Sequence, residues 1–145
     1  MIKFVFCGDF VSQCANEIQL DSNLAGLFDE ADYLSCNFEA PVRGHGIPIK
    51  KSGPCLSQSE HSPSVLEGWG FNIIQMANNH MMDFNSEGCK KTINYFKNST
   101  ILGIGKKRDA FNPGIVEKNG IKVGLLAFTH KEFGALSADS TDEDY

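Results

Sequence analysis

Four short apolar runs rich in β-formers, separated by stretches with helix signals, set the tightest limit on what this chain can fold into. The runs cover residues 2–7, 33–37, 71–76 and 100–104. After the first, Asp21 or Ser22 can cap a short helix that places Leu24, Leu27 and Phe28 on one stripe. After the second, Ser62-Pro63-Ser64 supplies a capping hydroxyl and a first-turn proline, with Val65, Leu66 and Trp69 as the apolar face. After the third, residues 86–98 space Cys89, Ile93 and Phe96 for burial on one helix side. Such alternation predicts an α/β layered fold with a mostly parallel sheet. Residues 115–118 and 121–128 then flank Asn119-Gly120, a pair that accepts the positive φ angles of a type I′ turn, so a C-terminal hairpin follows.

A length of 145 residues makes one domain or part of one, expected over residues 1–136. Residues 137–145 are acidic and nearly devoid of apolar side chains, which predicts an unstructured tail. The five cysteines, Cys7, Cys14, Cys36, Cys55 and Cys89, are odd in number and without a close pair, which argues for reduced thiols. The N-terminal run is interrupted at Gly8-Asp9, too soon for a secretory signal or a membrane segment, so the expected address is cytoplasmic. A net charge of −5 without a basic cluster leaves little to neutralise phosphates, which excludes nucleic acid as the main partner. Lys90-Lys91 and Lys106-Lys107-Arg108 read as solvated faces or turns.

Three polar sets fall just after three predicted strands: Gly8-Asp9, Asn37-Phe38-Glu39, and Asn78-Asn79-His80 with Asp83 behind. In parallel sheets, functional loops gather at the carboxyl ends of strands, so neighbouring strands would make these sets converge. Carboxylate, amide and imidazole donors together suit zinc, manganese or iron in a catalytic divalent-metal centre. Each residue alone also has an ordinary reading. Asp9 can be a turn residue, Glu39 a surface acid, Asn78-Asn79 a turn, and His80 a hydrogen-bonded structural histidine. Their shared position after strands is what favours chemistry. Residues 42–60 lack periodicity and hold several glycines and prolines, a connection long enough to cover or line a site. His45 and His61 are weaker candidates, and His130 is of interest because it ends the longest predicted strand. No nucleophile elbow or phosphate loop is present. Cys7 and Cys36 lie in apolar runs where burial suppresses thiol reactivity, so they read as core.

The order Gly8-Asp9, Asn37-Phe38-Glu39-Ala40-Pro41, Ala77-Asn78-Asn79-His80 with Asp83, and Gly103-Ile104-Gly105, extended by residues 119–126, resembles the poly-γ-glutamate capsule synthesis protein CapA family. The resemblance implies a fold related to the calcineurin-like metallophosphoesterases, a four-layer αββα sandwich of which this chain would hold the N-terminal part. It implies a metal-dependent hydrolase of phosphoester or γ-glutamyl amide linkages, with an anionic polymer or phosphoester substrate. By the same resemblance Asp9, Glu39 and Asn79 would be metal ligands, His80 and Asp83 catalytic, and Asn37, Asn78 and His130 binding or supporting residues. Val11 stands where a phosphoesterase histidine is expected. A non-catalytic polymer-binding or assembly component is the other reading. A truncated domain with an exposed sheet edge would favour a homo-oligomer.

Overall fold

The computed structural model describes residues 1–130, so the expected boundary at 136/137 and the acidic tail lie outside the described residues. Strands β1 (Phe4–Phe10), β2 (Tyr33–Phe38), β3 (Ile73–Gln75) and β4 (Thr100–Leu102) form one parallel sheet in the order β1-β2-β3-β4. Helices α1 (Ser22–Asp29), α2 (Ser62–Gly68) and α3 (Asn85–Ile93) lie in the three connections. Right-handed crossovers between sequential neighbours put all three on one face. There Phe28, Leu66 and Cys89 share a core with Leu34, Cys36, Phe38, Ile74 and Met76. Strand side chains alternate, so Tyr33 and Ile73 face the opposite way, against Val116 and Val123 of an antiparallel hairpin. The hairpin strands are β5 (Gly114–Lys118) and β6 (Ile121–Leu125), and a one-turn helix α4 (Lys107–Ala110) precedes them.

The mostly parallel α/β sheet with a separate C-terminal hairpin is therefore as the sequence predicts. At the hairpin turn Asn119 and Gly120 take φ of 54° and 75°, the pair of positive angles a type I′ turn requires. The Tyr33 hydroxyl donates to the Glu117 carbonyl at 2.8 Å, and Asp32 accepts from Lys118 and from the Lys3 backbone N–H, tying the hairpin to the sheet. The Asp21 side chain caps α1 through the Asn23 N–H at 2.9 Å.

Several expected boundaries move. Helix α1 buries only Phe28, against Phe71 with ring centroids 5.2 Å apart, whereas Leu24 and Leu27 are exposed: one turn of contact is all this short helix makes. The cap position of α2 is His61 rather than Ser62, with no side-chain bond made there. Strands β3 and β4 are shorter than predicted, β4 ending at Leu102, just before Gly103, whose φ is 74°. Strand β6 stops at Leu125 instead of 128. Helix α3 ends at Ile93 rather than 98, and the cause is Glu67 of α2. Tyr95 and Phe96 bond back only three residues, and Glu67 Oε1 then takes the N–H groups of Lys97, Asn98 and Ser99 and the Ser99 hydroxyl.

One carboxylate oxygen thus replaces a helical turn and sets the entry into β4. Burial alone would raise the Glu67 carboxyl, but the donors of Asn98, Lys97 and Ser99 outweigh it and hold it below its ordinary value. Glu67→Ala is expected to cost about 1–3 kcal/mol in urea unfolding at pH 7, because charged hydrogen bonds are lost and N–H groups orphaned. A depressed folded pKa contributes stability above the unfolded value, about 4.3, and loses it as pH falls through the folded one. The gap between wild type and variant should therefore narrow on acidification. Equal unfolding midpoints at pH 7 would contradict this role.

Residues 42–60, which the sequence marks as too long to be idle, are fixed at many points. The Val42 N–H donates to Thr92 Oγ1 at 2.8 Å, the Arg43 N–H to the Gln58 carbonyl and the Gln58 N–H to the Pro41 carbonyl, both at 2.9 Å, and the Ser59 N–H to the Ser12 carbonyl at 2.7 Å. Gly46, at φ 75°, sits so close to α3 that a Cβ there would lie 1.9 Å from the Phe84 carbonyl oxygen. All five cysteines are free, and burial pushes the Cys36 and Cys89 thiols up to about 12, in keeping with core packing rather than nucleophilic duty. No helix among the described residues is long and apolar enough to cross a membrane.

Candidate catalytic and metal-binding site

Register explains how Asp9 meets its partners. Phe6 pairs with Ser35 and Asp9 with Asn37, so three steps along β1 answer two along β2. A bulge lies between them. Side chains alternate along a strand, and without the extra residue Asp9 would point to the helix-covered face; the bulge turns it to the side that Asn37 occupies. Asp9 is consequently inside β1, not beyond its end as the sequence predicts, and the next pair, Phe10 with Phe38, returns to the helix-side core.

Asn37 is the centre of the cluster. Its Nδ2 donates to Asp9 Oδ1 at 2.8 Å and to Glu39 Oε2 at 2.5 Å. Its Oδ1 accepts from Asn78 Nδ2 at 2.9 Å, which also donates to the Phe38 carbonyl at 3.0 Å. Asn78 Oδ1 in turn accepts the N–H groups of His80 and Met81, at 3.0 and 2.9 Å. Two amides therefore relay from the carboxylates of Asp9 on β1 and of Glu39 just after β2 to the turn that carries His80. Asn78 is buried, at 8% exposure, and uses both ends of its amide, which is why this position takes asparagine rather than a hydrophobic residue.

Burial and the nearby Asp9 carboxylate raise the Glu39 carboxyl, and the bond from Asn37 and the proximity of His80 oppose the shift. Two carboxylates drawn to one amide nitrogen leave a concentration of negative charge that a cation would relieve. Carboxylate oxygens are the kind of donor a hard divalent ion takes, and Asn79 follows Asn78 in the turn. Among the described residues no group of three or more His, Cys, Asp or Glu side chains is gathered as for a metal ion.

His80 lies on the far side of the relay. Its Nδ1 is 2.7 Å from Asp83 Oδ2, and the Asp83 side chain is wholly buried while that of His80 is 17% exposed. Asp83 also binds the ammonium of Lys51 through Oδ1 and accepts the Leu56 N–H at 2.6 Å. Its backbone carbonyl takes the Ile49 N–H at 2.9 Å. The long connection thus reaches the turn of His80 at three residues. Asp83, expected among the catalytic groups, is sealed beneath the histidine instead of facing solvent.

The structure therefore brings Asp9, Asn37, Glu39, Asn78 and His80 into one hydrogen-bonded system with Asp83 behind it. His130 is exposed at the last described position. Ala127, three residues earlier, packs beside Gly103 and Ala77 at the carboxyl ends of β4 and β3. His45 instead bonds Tyr95 through Nε2, at 3.1 Å. Lys51 is the residue that sequence reasoning missed: its side chain is 4% exposed whereas neighbouring Lys50 is exposed, and nothing in the local sequence separates the two. Only the expectation that residues 42–60 line a site pointed near it.

Comparison with known proteins agrees with the resemblance. A family model described as bacterial capsule synthesis protein PGA_cap matches residues 4–145. The chain is 30% identical over 141 residues to the capsule biosynthesis protein CapA of Bacillus anthracis, covering 89% of this chain and 34% of that protein. It is 28% identical over 139 residues to the PGA biosynthesis protein CapA of Bacillus subtilis (strain 168), covering 86% of this chain and 35% of that one. The chain thus spans about a third of the length of these relatives.

Proposed function

The chain belongs to the bacterial capsule synthesis protein PGA_cap family, and from that premise we propose that it carries part of a metal-dependent hydrolase. The proposed reaction is cleavage of phosphoester or γ-glutamyl amide linkages in the making of poly-γ-glutamate or another capsule polymer. The observation that carries this reading is the single amide of Asn37, which gathers Asp9 and Glu39 on one side and connects through Asn78 to His80 on the other. Asp9, Glu39 and Asn79 would hold a divalent ion, manganese, zinc or iron, which when bound supplies Lewis acidity and an activated water. Asn37 orients the carboxylates, and Asn78 holds the His80 turn at a set distance from them. His80, with Nδ1 engaged by Asp83, presents Nε2 to stabilise charge on the reacting centre or to protonate the leaving group. His130 would enter from the segment after Ala127 to help bind substrate. The unpaired thiols support a cytoplasmic address for these residues as part of the same reading.

Calorimetry with Mn²⁺ and Zn²⁺ tests the metal. Uptake is expected in the protein that carries these residues and lost in Asp9→Ala and Glu39→Ala, with an affinity reduced about 10–100-fold in Asn37→Leu, where only the orienting amide is gone. No uptake by that protein ends the metal-dependent reading.

A second reading, a non-catalytic polymer-binding or assembly component, is favoured by one observation: the described residues provide fewer than three gathered His, Cys, Asp or Glu ligands. Turnover of bis(p-nitrophenyl) phosphate or γ-glutamyl-p-nitroanilide separates the two. Metal uptake without hydrolysis of either probe supports the binding component.

A further inference from the structure

The geometry points to Lys51 as the positioning residue of His80: by holding the buried Asp83 carboxylate it fixes the imidazole with Nδ1–H bonded to that carboxylate and Nε2 as the bare ring nitrogen. This rests on the proposed role of His80 in the site, but its test does not require turnover.

Three donors meet at Asp83. The Lys51 ammonium takes Oδ1, while His80 Nδ1 and the Leu56 N–H share Oδ2, at 2.7 and 2.6 Å. A carboxylate only accepts, so the ring nitrogen at 2.7 Å must be the one that carries a proton. Lys51 Nζ also lies 3.2 Å from His80 Nδ1. An ammonium only donates, so this is an approach of two donors held side by side by one carboxylate, not a bond between them. Remove the ammonium and the donor set around Asp83 loses its one permanent charge. The carboxylate, with no exposure to water, would then be an uncompensated buried anion, free to rotate or to take up the proton it now receives as a hydrogen bond. Either change releases the ring.

The connection of residues 42–60 gains a function from this. It delivers Lys51 and the Leu56 N–H to the same carboxylate and fastens Ile49 to the Asp83 carbonyl, so an ordered connection and an oriented histidine are one event. A loop serving only as cover would have no need to bury a lysine beside an imidazole. The neighbouring Lys50 shows the alternative, a solvated chain.

Nitrogen-15 spectra of the protein with labelled histidine and lysine test the assignment. In the wild type His80 should show a protonated Nδ1 and a bare Nε2, and Lys51 an ammonium signal protected from solvent exchange, unlike Lys50. Lys51→Arg should keep the His80 pattern. Lys51→Met, with its fold checked by circular dichroism, should shift the proton from Nδ1 to Nε2 in the neutral ring. A wild-type His80 protonated on Nε2, a Lys51 ammonium exchanging like Lys50, or a Lys51→Met spectrum identical to wild type each overturns the inference. If Lys51→Met does not fold, the wild-type signals and the Lys51→Arg pattern decide. A protein that turns over neither probe yet shows the expected tautomer defeats the hydrolase reading and leaves this one standing.

Discussion

An Asp83→Ala variant is expected to lose about 3–5 kcal/mol of stability, the usual penalty for removing one partner of a buried ion pair and stranding the other. Asp83 has no exposure and the Lys51 side chain almost none, so water cannot take over either charge without opening the connection of residues 42–60. Three partners are left at once, the Lys51 ammonium, the His80 ring and the Leu56 N–H, and the shorter side chain leaves a cavity besides. Against a total of roughly 5–15 kcal/mol for a domain, that is enough to unfold a marginal one at room temperature. Removing both charges together should be far milder. Lys51→Met with Asp83→Leu keeps the volume and strands no ion, so most of the loss should return in the same urea titration. An Asp83→Ala variant within 1 kcal/mol of wild type would show that the pair is not closed off from solvent as the structure has it.

The same pair marks where the sequence stops being legible. Signals that act within a few residues survive intact: Asn119-Gly120 turns as a type I′ pair must, and Asp21 caps α1. So do patterns that require only a buried face, as in Cys89, Ile93 and Phe96, which all pack in the helix-side core. What fails depends on a partner distant in the chain. The end of α3 is decided by Glu67, about thirty residues earlier, because a carboxylate offers Lys97, Asn98 and Ser99 a better acceptor than the helix would. The apolar stripe of α1 is real in the sequence, but whether Leu24 and Leu27 are covered depends on what packs there.

For the site, the residue types and their order are readable, and the convergence of Asp9, Glu39 and His80 follows once the strands are neighbours in a parallel sheet. The bulge that brings Asp9 to Asn37 is not readable, since Cys7-Gly8-Asp9 has the composition of an ordinary strand end. Nor is the burial of Lys51, which needs the carboxylate 32 residues away to be possible at all.

His80→Ala should separate chemistry from scaffold more sharply than any other change in the cluster. The His80 backbone N–H, not its ring, is what Asn78 holds, so removing the ring leaves the relay from Asn37 through Asn78 in place. Asp83 keeps Lys51 and the Leu56 N–H, so no buried charge is stranded. Mn²⁺ uptake and the urea midpoint should therefore change little, whereas hydrolysis of a responsive probe should fall about 10²–10⁴-fold if the ring transfers or stabilises a proton in the reaction. Asn78→Ala makes the opposite contrast. It breaks four hydrogen bonds at a buried position and uncouples the carboxylates from the His80 turn, so metal affinity, stability and turnover should all fall together. If His80→Ala instead retained turnover within a few-fold of wild type, the imidazole would belong to the scaffold, and the chemistry would have to be sought among the carboxylates alone.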